Sequence, residues 1–380
     1  MFRLVRAPDP VTLEVTPLCT WRDVHGERHA WGEPSVTAVT DGFVFEDAYR
    51  VSGPGWRPGG DWYLGLLARE EAARGLNAAE DLWAAGRFVV QVEPGATVGV
   101  SAAAGSFDRA LPSAEQLVRD ARRRANDVAA GAQPADAVDG QLALAADQFV
   151  IATPTGPSVV AGYPWFGEWS RDLTTAFDGL FLETNRHGEA RDVLLRAGAT
   201  VSEGMLANTA DTGSLEYNTA DPALWFLHAI GRYAAATSDL DTVAELANTM
   251  DQVLDRHLRG TRYGIRADPS DGLLLQGHDG LALTWMDARV DGPPVTGRRG
   301  KAVEINALWI NGLTVASDLF AKLGRATDWA AVAARATASF RRRFPDRTVQ
   351  GCTTSLTARR ATTRQYGRTS CSPSRCHTAR

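Results

Sequence analysis

The sequence predicts a mixed β + α chain in two parts, an antiparallel β-sandwich over residues 1–112 and an array of helices over 113–350. Three observations predict it. Short alternating or β-branched runs, separated by Gly, Pro, Asp and Asn, fill the first 110 residues or so. From Ser113 onward, apolar residues recur at helical spacing instead. With 380 residues, 44% hydrophobic and 22% charged, the chain can build two cores and has an ordinary globular composition.

The strands come first. TLEVTP, SVTAV, GFVFED, DWYLGLL, RFVVQVE and ATVGVSA each fit a short strand, and their spacing suits a sandwich. AREEAARGLNAAEDLW interrupts them with helix-forming residues and predicts a helical excursion. The character changes near Leu111-Pro112. Leu173, Phe177, Leu180 and Phe181 then form a helical stripe after Ser170, which is expected to cap it. Pro222 follows Asp221 as a first-turn proline and opens a second helix through Leu224, Leu227 and Ala234. Ile305, Leu308, Trp309, Leu313, Ala316, Leu319 and Phe320 make a third stripe. The long loops at 268–272 and 291–300 favour a helical toroid over a compact four-helix bundle, although periodicity alone leaves both open.

Charge and composition exclude several classes. A net charge of −5 gives no basic field for nucleic acid or anionic lipid. The opening MFRLVRAPDPVTLEV lacks the apolar core of a signal peptide, and no run nears the roughly 18 apolar residues of a membrane span. Three of the four cysteines, Cys352, Cys371 and Cys376, fall in the last thirty residues, which leaves Cys19 for the rest. That argues against a disulfide scaffold and makes the cytoplasm the expected location. After Asp346 there is no acidic residue, and the tail's seven arginines against a net charge of −5 leave −12 on residues 1–346. Such a segment reads as a disordered basic tail.

Four clusters carry the candidate chemistry. AGYPWFGEWSRD (161–172) holds Trp169, Arg171 and Asp172, and EYNTADPALWF (216–226) holds Glu216, Asn218 and Asp221. LALTWMDA (281–288) holds Trp285 and Asp287, and GKAVEINALW (300–309) holds Lys301, Glu304 and Asn306. A pyranose offers hydroxyls at its rim and C–H groups on its faces. Carboxylates and amides answer the first, and indole rings cover the second. Cleaving a glycosidic bond needs two carboxyl groups, one protonated and one ionised. Any one cluster reads as well as a packed aromatic beside a helix cap: Asp221 as an N-cap, Glu304 as a first-turn acid facing the helix dipole. Four together point to a saccharide cleft. Asp172, in a first turn beside Arg171, is expected to stay ionised and grip hydroxyls. Asp287, among Leu281, Leu283, Trp285 and Met286, is expected to be desolvated, raised in pKa and fit to donate a proton. HExxH, paired CxxC, a phosphate loop after a strand and GxSxG are all absent, so no metal or cofactor is expected.

These clusters resemble the C-terminal glucosidase domain of prokaryotic-type glycogen debranching enzymes. The family pattern AGYPWF..WGRD appears as AGYPWFGEWSRD, with Ser170 where the family usually has glycine. EYNTAD (216–221), TWMDA (284–288), VEINALW (303–309) and ALAADQF (143–149) also match, and RGLNAAEDLW (74–83) looks like the family's N-terminal β-domain. The resemblance runs from about Val11 to Asp346. It implies a partial β-sandwich followed by an incomplete (α/α)₆ toroid, with about seven of twelve helices, acting on α-1,6 branch points of glycogen or an α-glucan oligosaccharide and releasing glucose. It implies Asp287 as the general acid, with Trp169, Arg171, Asp172, Glu216, Asn218, Asp221, Trp285 and Glu304 lining the sugar subsite. The general base is expected beyond Asp346.

The tail then gains a sharper reading. Read one base out of phase from the last base of Gly351, permitted codons give LHDVVDGPQGDDAAIRPNQLLAVSLPHGP. This is very like the family's next expected run, DVVDG…D…RPNQ…AVSLP. A frameshift near residue 350 is therefore expected, with 351–380 an out-of-frame, disordered tail. Rival readings are another (α/α)₆ hydrolase acting on trehalose or α-1,4 ends, a glycan-binding remnant without catalysis, and a product with no function.

Overall fold

The computed structural model of the chain describes residues 1–24, 26–105, 111–163, 165–208, 215–346, 351–352 and 355–356. Two compact units divide it, Met1–Asp127 and Val128–Arg380. Both β and α structure are present, as the sequence predicts.

The first unit holds strands β1 (Phe2–Arg3), β2 (Val11–Val15), β3 (Leu18–Cys19), β4 (Val36–Val39), β5 (Gly42–Phe45), β6 (Tyr49–Ser52) and β7 (Trp56–Leu67). A short helix α1 (Arg69–Ala73) precedes β8 (Ala79–Val92), β9 (Thr97–Val98) and β10 (Ser101–Ala104). One antiparallel sheet runs β10-β6-β5-β4, and in a second β8 pairs with β2, β3 and β7. Cys19, Phe43, Phe45, Val51, Trp83, Ala85 and Phe88, drawn from both sheets, form one buried cluster. The Trp56 ring stacks on Phe43 at 4.8 Å and tilts on Phe88 at 5.0 Å. The helical reading of AREEAARGLNAAEDLW holds only for α1. Ala79–Trp83 is strand, because pairing with β7 along β8 outweighs the helix propensity of Ala and Glu. The short β3 and the hairpin strand β6 carry no alternation long enough to be read in the sequence.

Helix α2 (Ala114–Gly131) contains the division between the units. The second unit continues with α3 (Ala137–Asp147) and a meander of β11 (Val150–Thr153), β12 (Gly156–Gly162) and β13 (Phe166–Glu168). Next come α4 (Ser170–Phe177), which runs into a π-turn at Asp178–Leu182, then α5 (His187–Ala199), α6 (Pro222–Thr237) and α7 (Leu240–Arg259). Short strands β14 (Arg266–Ala267), β15 (Leu274–Leu275) and β16 (Lys301–Ala302) lead to α8 (Val303–Lys322) and α9 (Trp329–Arg343). Strands β17 (Pro345–Asp346), β18 (Gly351–Cys352) and β19 (Ser355–Leu356) close the described chain. β17 pairs with β18, and β16 with β19. The rest of the expected tail lies outside the described residues.

The three helical stripes pack into one core, with Leu173 of the first only partly buried. Phe177, Leu180 and Phe181 lie in the same core cluster as Leu224 and Leu227 of α6 and all seven stripe residues of α8. Glycines let α6 and α8 approach closely. A Cβ on Gly231 would lie 2.8 Å from Val315, and one on Gly312 would lie 2.8 Å from Leu227. Any side chain there would drive the helices apart. Among the described residues, no helix is long and apolar enough to cross a membrane.

Candidate active site

The site begins where β13 gives way to α4. Trp169 occupies the N-cap position in extended conformation, and Ser170 is the first helical residue. The expected Ser170 cap is therefore not formed. Its Oγ is buried without a hydrogen-bond partner among the described residues, while its backbone N–H donates to the Asn208 carbonyl at 2.9 Å. Arg171 follows directly and reaches two other segments.

Asp221 does not cap α6 with its side chain. Its carboxylate instead takes two bonds from Arg171, from Nε at 2.7 Å and from Nη2 at 3.0 Å. Next to it, the Ala220 N–H donates to the Leu283 carbonyl at 2.7 Å. That bond pins the third motif beside the second. Asp287 Oδ2 accepts from Arg171 Nη1 at 2.8 Å. One guanidinium thus joins three motifs, and its planar fork suits two carboxylates at once. Burial opposes the Arg171 charge, but bonds from Asp221 and then Asp287 outweigh it and raise the guanidinium above its ordinary value. Burial also pushes the Asp221 carboxyl up, with Arg171 pulling the other way.

Two expectations about the aspartates are corrected. Asp287 is not buried: its side chain is 47% exposed, and Trp285 is 51% exposed. Leu283 and Thr284 turn inward while Trp285 and Asp287 turn out, so the apolar neighbours in sequence do not surround the carboxyl. Asp172 is half-buried, and burial raises its pKa, with Arg171 and the helix backbone opposing. Desolvation thus outweighs the helix terminus and Arg171 in setting the direction of the shift.

The remaining candidates sort by their partners. Asn218 Nδ2 donates to Glu216 Oε2 at 2.9 Å, and Asn218 Oδ1 accepts from Asn208 Nδ2 at 2.9 Å. Trp169 is half-buried and lines a small cavity with Ser158, Glu168, Leu173, Arg196 and Asn208. Glu304 is not joined to Arg171. Arg298 grips both its oxygens, Nη2 to Oε2 at 2.8 Å. Lys301, 4% exposed, binds Asp268 and Asp271 at 2.7 Å each and ties the 268–272 loop to β16. Asn306, fully buried, bonds both backbone groups of Leu274. These last two are structural. Sequence reading misses Asn208 and Arg298. Asn208 lies in an unremarkable MLAN run, and Arg298 in a loop whose fold is set by distant contacts. Among the described residues, no group of three or more His, Cys, Asp or Glu could hold a metal ion.

The arrangement offers an exposed carboxyl and an exposed indole beside a fixed cation, with amide and carboxylate groups nearby on the 216–221 segment. This can bind hydroxyls and a sugar face and deliver a proton.

Comparison with known proteins gives a consistent result. Residues 144–369 match the amylo-alpha-1,6-glucosidase family model, and residues 1–99 match the glycogen debranching enzyme N-terminal model. A glycogen debranching enzyme of Saccharomyces cerevisiae (strain ATCC 204508 / S288c) is 26% identical over 223 residues, covering 43% of this chain. The match spans 14% of the length of that relative. Among solved structures, a rhamnosidase from Klebsiella oxytoca with rhamnose bound superposes with a TM-score of 0.42 at 14% identity, covering 83% of this chain and 64% of that one. A GH78 family rhamnosidase of Bacillus sp. GL1 gives 0.39 at 16% identity, covering 84% and 34%. Scores this low carry no assignment of fold.

Proposed function

The chain belongs to the amylo-alpha-1,6-glucosidase family, and on that premise we propose that it is a glycoside hydrolase acting on α-1,6-linked glucose at branch points of glycogen or a related α-glucan. Asp287 is the general acid. Arg171 takes its Oδ2, which leaves Oδ1 to face the departing glycosidic oxygen. Trp285 and Trp169 offer indole faces to the sugar, and Asp172, Glu216 and Asn218 meet hydroxyls. Asp221, only 3% exposed, acts by holding Arg171 in place. Glu304, held by Arg298, lines the sugar subsite. The water-activating carboxylate is supplied by the segment that follows Asp346 in the family.

In this reading residues 1–112 are the family's N-terminal β-domain, and 113–350 form part of an (α/α)₆ toroid. Residues 351–380 are read out of frame. The protein works in the cytoplasm on glycogen, without nucleic-acid or membrane partners.

One observation carries the proposal. Arg171, Asp221 and Asp287, separated by 50 and 116 residues from the arginine, meet at one guanidinium whose outer partner is exposed. Glucose release from phosphorylase limit dextrin, against trehalose and maltose, tests it on the gene product read through in the shifted frame. Release from limit dextrin is expected. Preference for trehalose or maltose assigns a different hydrolase, and saccharide binding without any glucose release assigns a binding protein.

A further inference from the structure

We infer that Asn208 is a positioning residue of the saccharide site, fixing the Asn218 amide and through it the Glu216 carboxylate. The inference rests on the functional reading above, since it takes Glu216 and Asn218 to meet sugar hydroxyls. The Glu216 carboxylate only accepts, so the atom of Asn218 that faces it must be Nδ2, at 2.9 Å. Asn218 then presents Oδ1 on its other side, which requires a donor. Asn208 supplies one, Nδ2 at 2.9 Å. Flipping either amide would set two donors or two acceptors face to face, so the relay has a single orientation.

Asn208 is itself held firmly. It is 5% exposed, its backbone N–H donates to the Glu216 carbonyl at 2.6 Å, and its carbonyl accepts from the Ser170 N–H at 2.9 Å. A single buried residue therefore bonds the residue before Arg171 and the Glu216–Asn218 pair together. Its Oδ1 has no partner among the described residues, and Asn208 lines a cavity shared with Ser170, Trp169 and Arg196.

Calorimetry with panose, which carries a terminal α-1,6-linked glucose, tests the relay in the full chain. Asn208→Ala and Asn218→Ala are each expected to weaken panose binding about ten-fold. The double variant should be no weaker than Asn218→Ala alone, because Asn208 acts through Asn218. Asn208→Asp gives a readout that a general packing role would not move. At pH 7.5 an ionised carboxylate faces the Asn218 oxygen and binding is weak; burial and that facing oxygen raise the introduced acid, so that at pH 5 it is protonated, donates, and returns binding toward wild type. Wild-type affinity in Asn208→Ala, additive losses in the double variant, or no recovery of Asn208→Asp at pH 5 overturns the inference. If the wild-type chain binds no panose, the functional reading fails instead, and hydrogen exchange decides for Asn208. Faster exchange over 215–221 in Asn208→Ala with α8 unchanged supports the positioning role, and unchanged rates there remove it.

Discussion

Two carboxylates share the Arg171 guanidinium, and the structure predicts that losing them has unequal consequences for stability. The perturbations are Asp221→Asn and Asp287→Asn, which keep side-chain volume and remove charge. The Asp221 side chain is 4% exposed and makes two bonds to a guanidinium that is itself 16% exposed. Breaking a buried pair from one side costs about 3–5 kcal/mol. The asparagine oxygen still accepts one bond, worth about 1 kcal/mol, so Asp221→Asn should destabilise by about 2–4 kcal/mol. The Asp287 side chain is 47% exposed, where an ion pair contributes about 0–1 kcal/mol. Asp287→Asn should therefore fold nearly as well as wild type. Urea titration followed by tryptophan fluorescence measures both, with thermal melts expected to drop by roughly 5–10 °C for Asp221→Asn alone. Equal losses, or a larger loss in Asp287→Asn, would refute the division of Arg171 into a buried anchor and an exposed working face.

Three further outcomes follow from particular residues. Ser170→Ala removes a buried hydroxyl that has no partner among the described residues, and it should stabilise by about 1–2 kcal/mol in the same titration; destabilisation would show that the hydroxyl has a partner in solution. His257 is fully buried, donates Nδ1–H to the Val253 carbonyl at 2.8 Å, and is pushed down to about 4 by burial. The unfolded chain takes that proton below about pH 6.5 while the folded chain does not, so stability is unaffected above pH 6.5 and falls between 6.5 and 4, by roughly 3 kcal/mol in all. His257→Phe should flatten that slope, and an unchanged slope would assign it to other groups. Sequencing the gene across codon 350 should show that the shifted frame encodes the DVVDG…RPNQ run, and a frame that does not encode it ends the frameshift reading.

The sequence made the joining of motifs legible but not the environment of each side chain. Helical stripes such as that of α8 recur every three or four residues, and burial of that face follows from geometry alone. The 281–288 segment is a loop with no such period. Nothing in Leu-Ala-Leu-Thr-Trp-Met indicates that Leu283 turns in and Asp287 turns out. Asp172 shows the same division: the helix terminus and Arg171 are local and readable, while the burial that raises its pKa is not. The cap position falls one residue before Ser170 because Trp169, a poor capping residue, is held extended as β13 ends. Asn208 and Arg298 were invisible because their roles depend on partners 10 and 6 residues away across irregular backbone. Ala79–Trp83 shows the same limit in the β-unit, where a partner strand overrode the helix signal.

The central claim is that Asp287 hands a proton to the oxygen linking two glucose units while Arg171 holds its other oxygen. The most direct test is glucose release from limit dextrin by the Asp287→Asn form of the read-through product, with panose affinity measured alongside. The account predicts affinity near wild type and a rate lower by roughly a hundred-fold or more, the usual loss when a general acid is removed. Turnover within about two-fold of wild type, on the same scale, would contradict it.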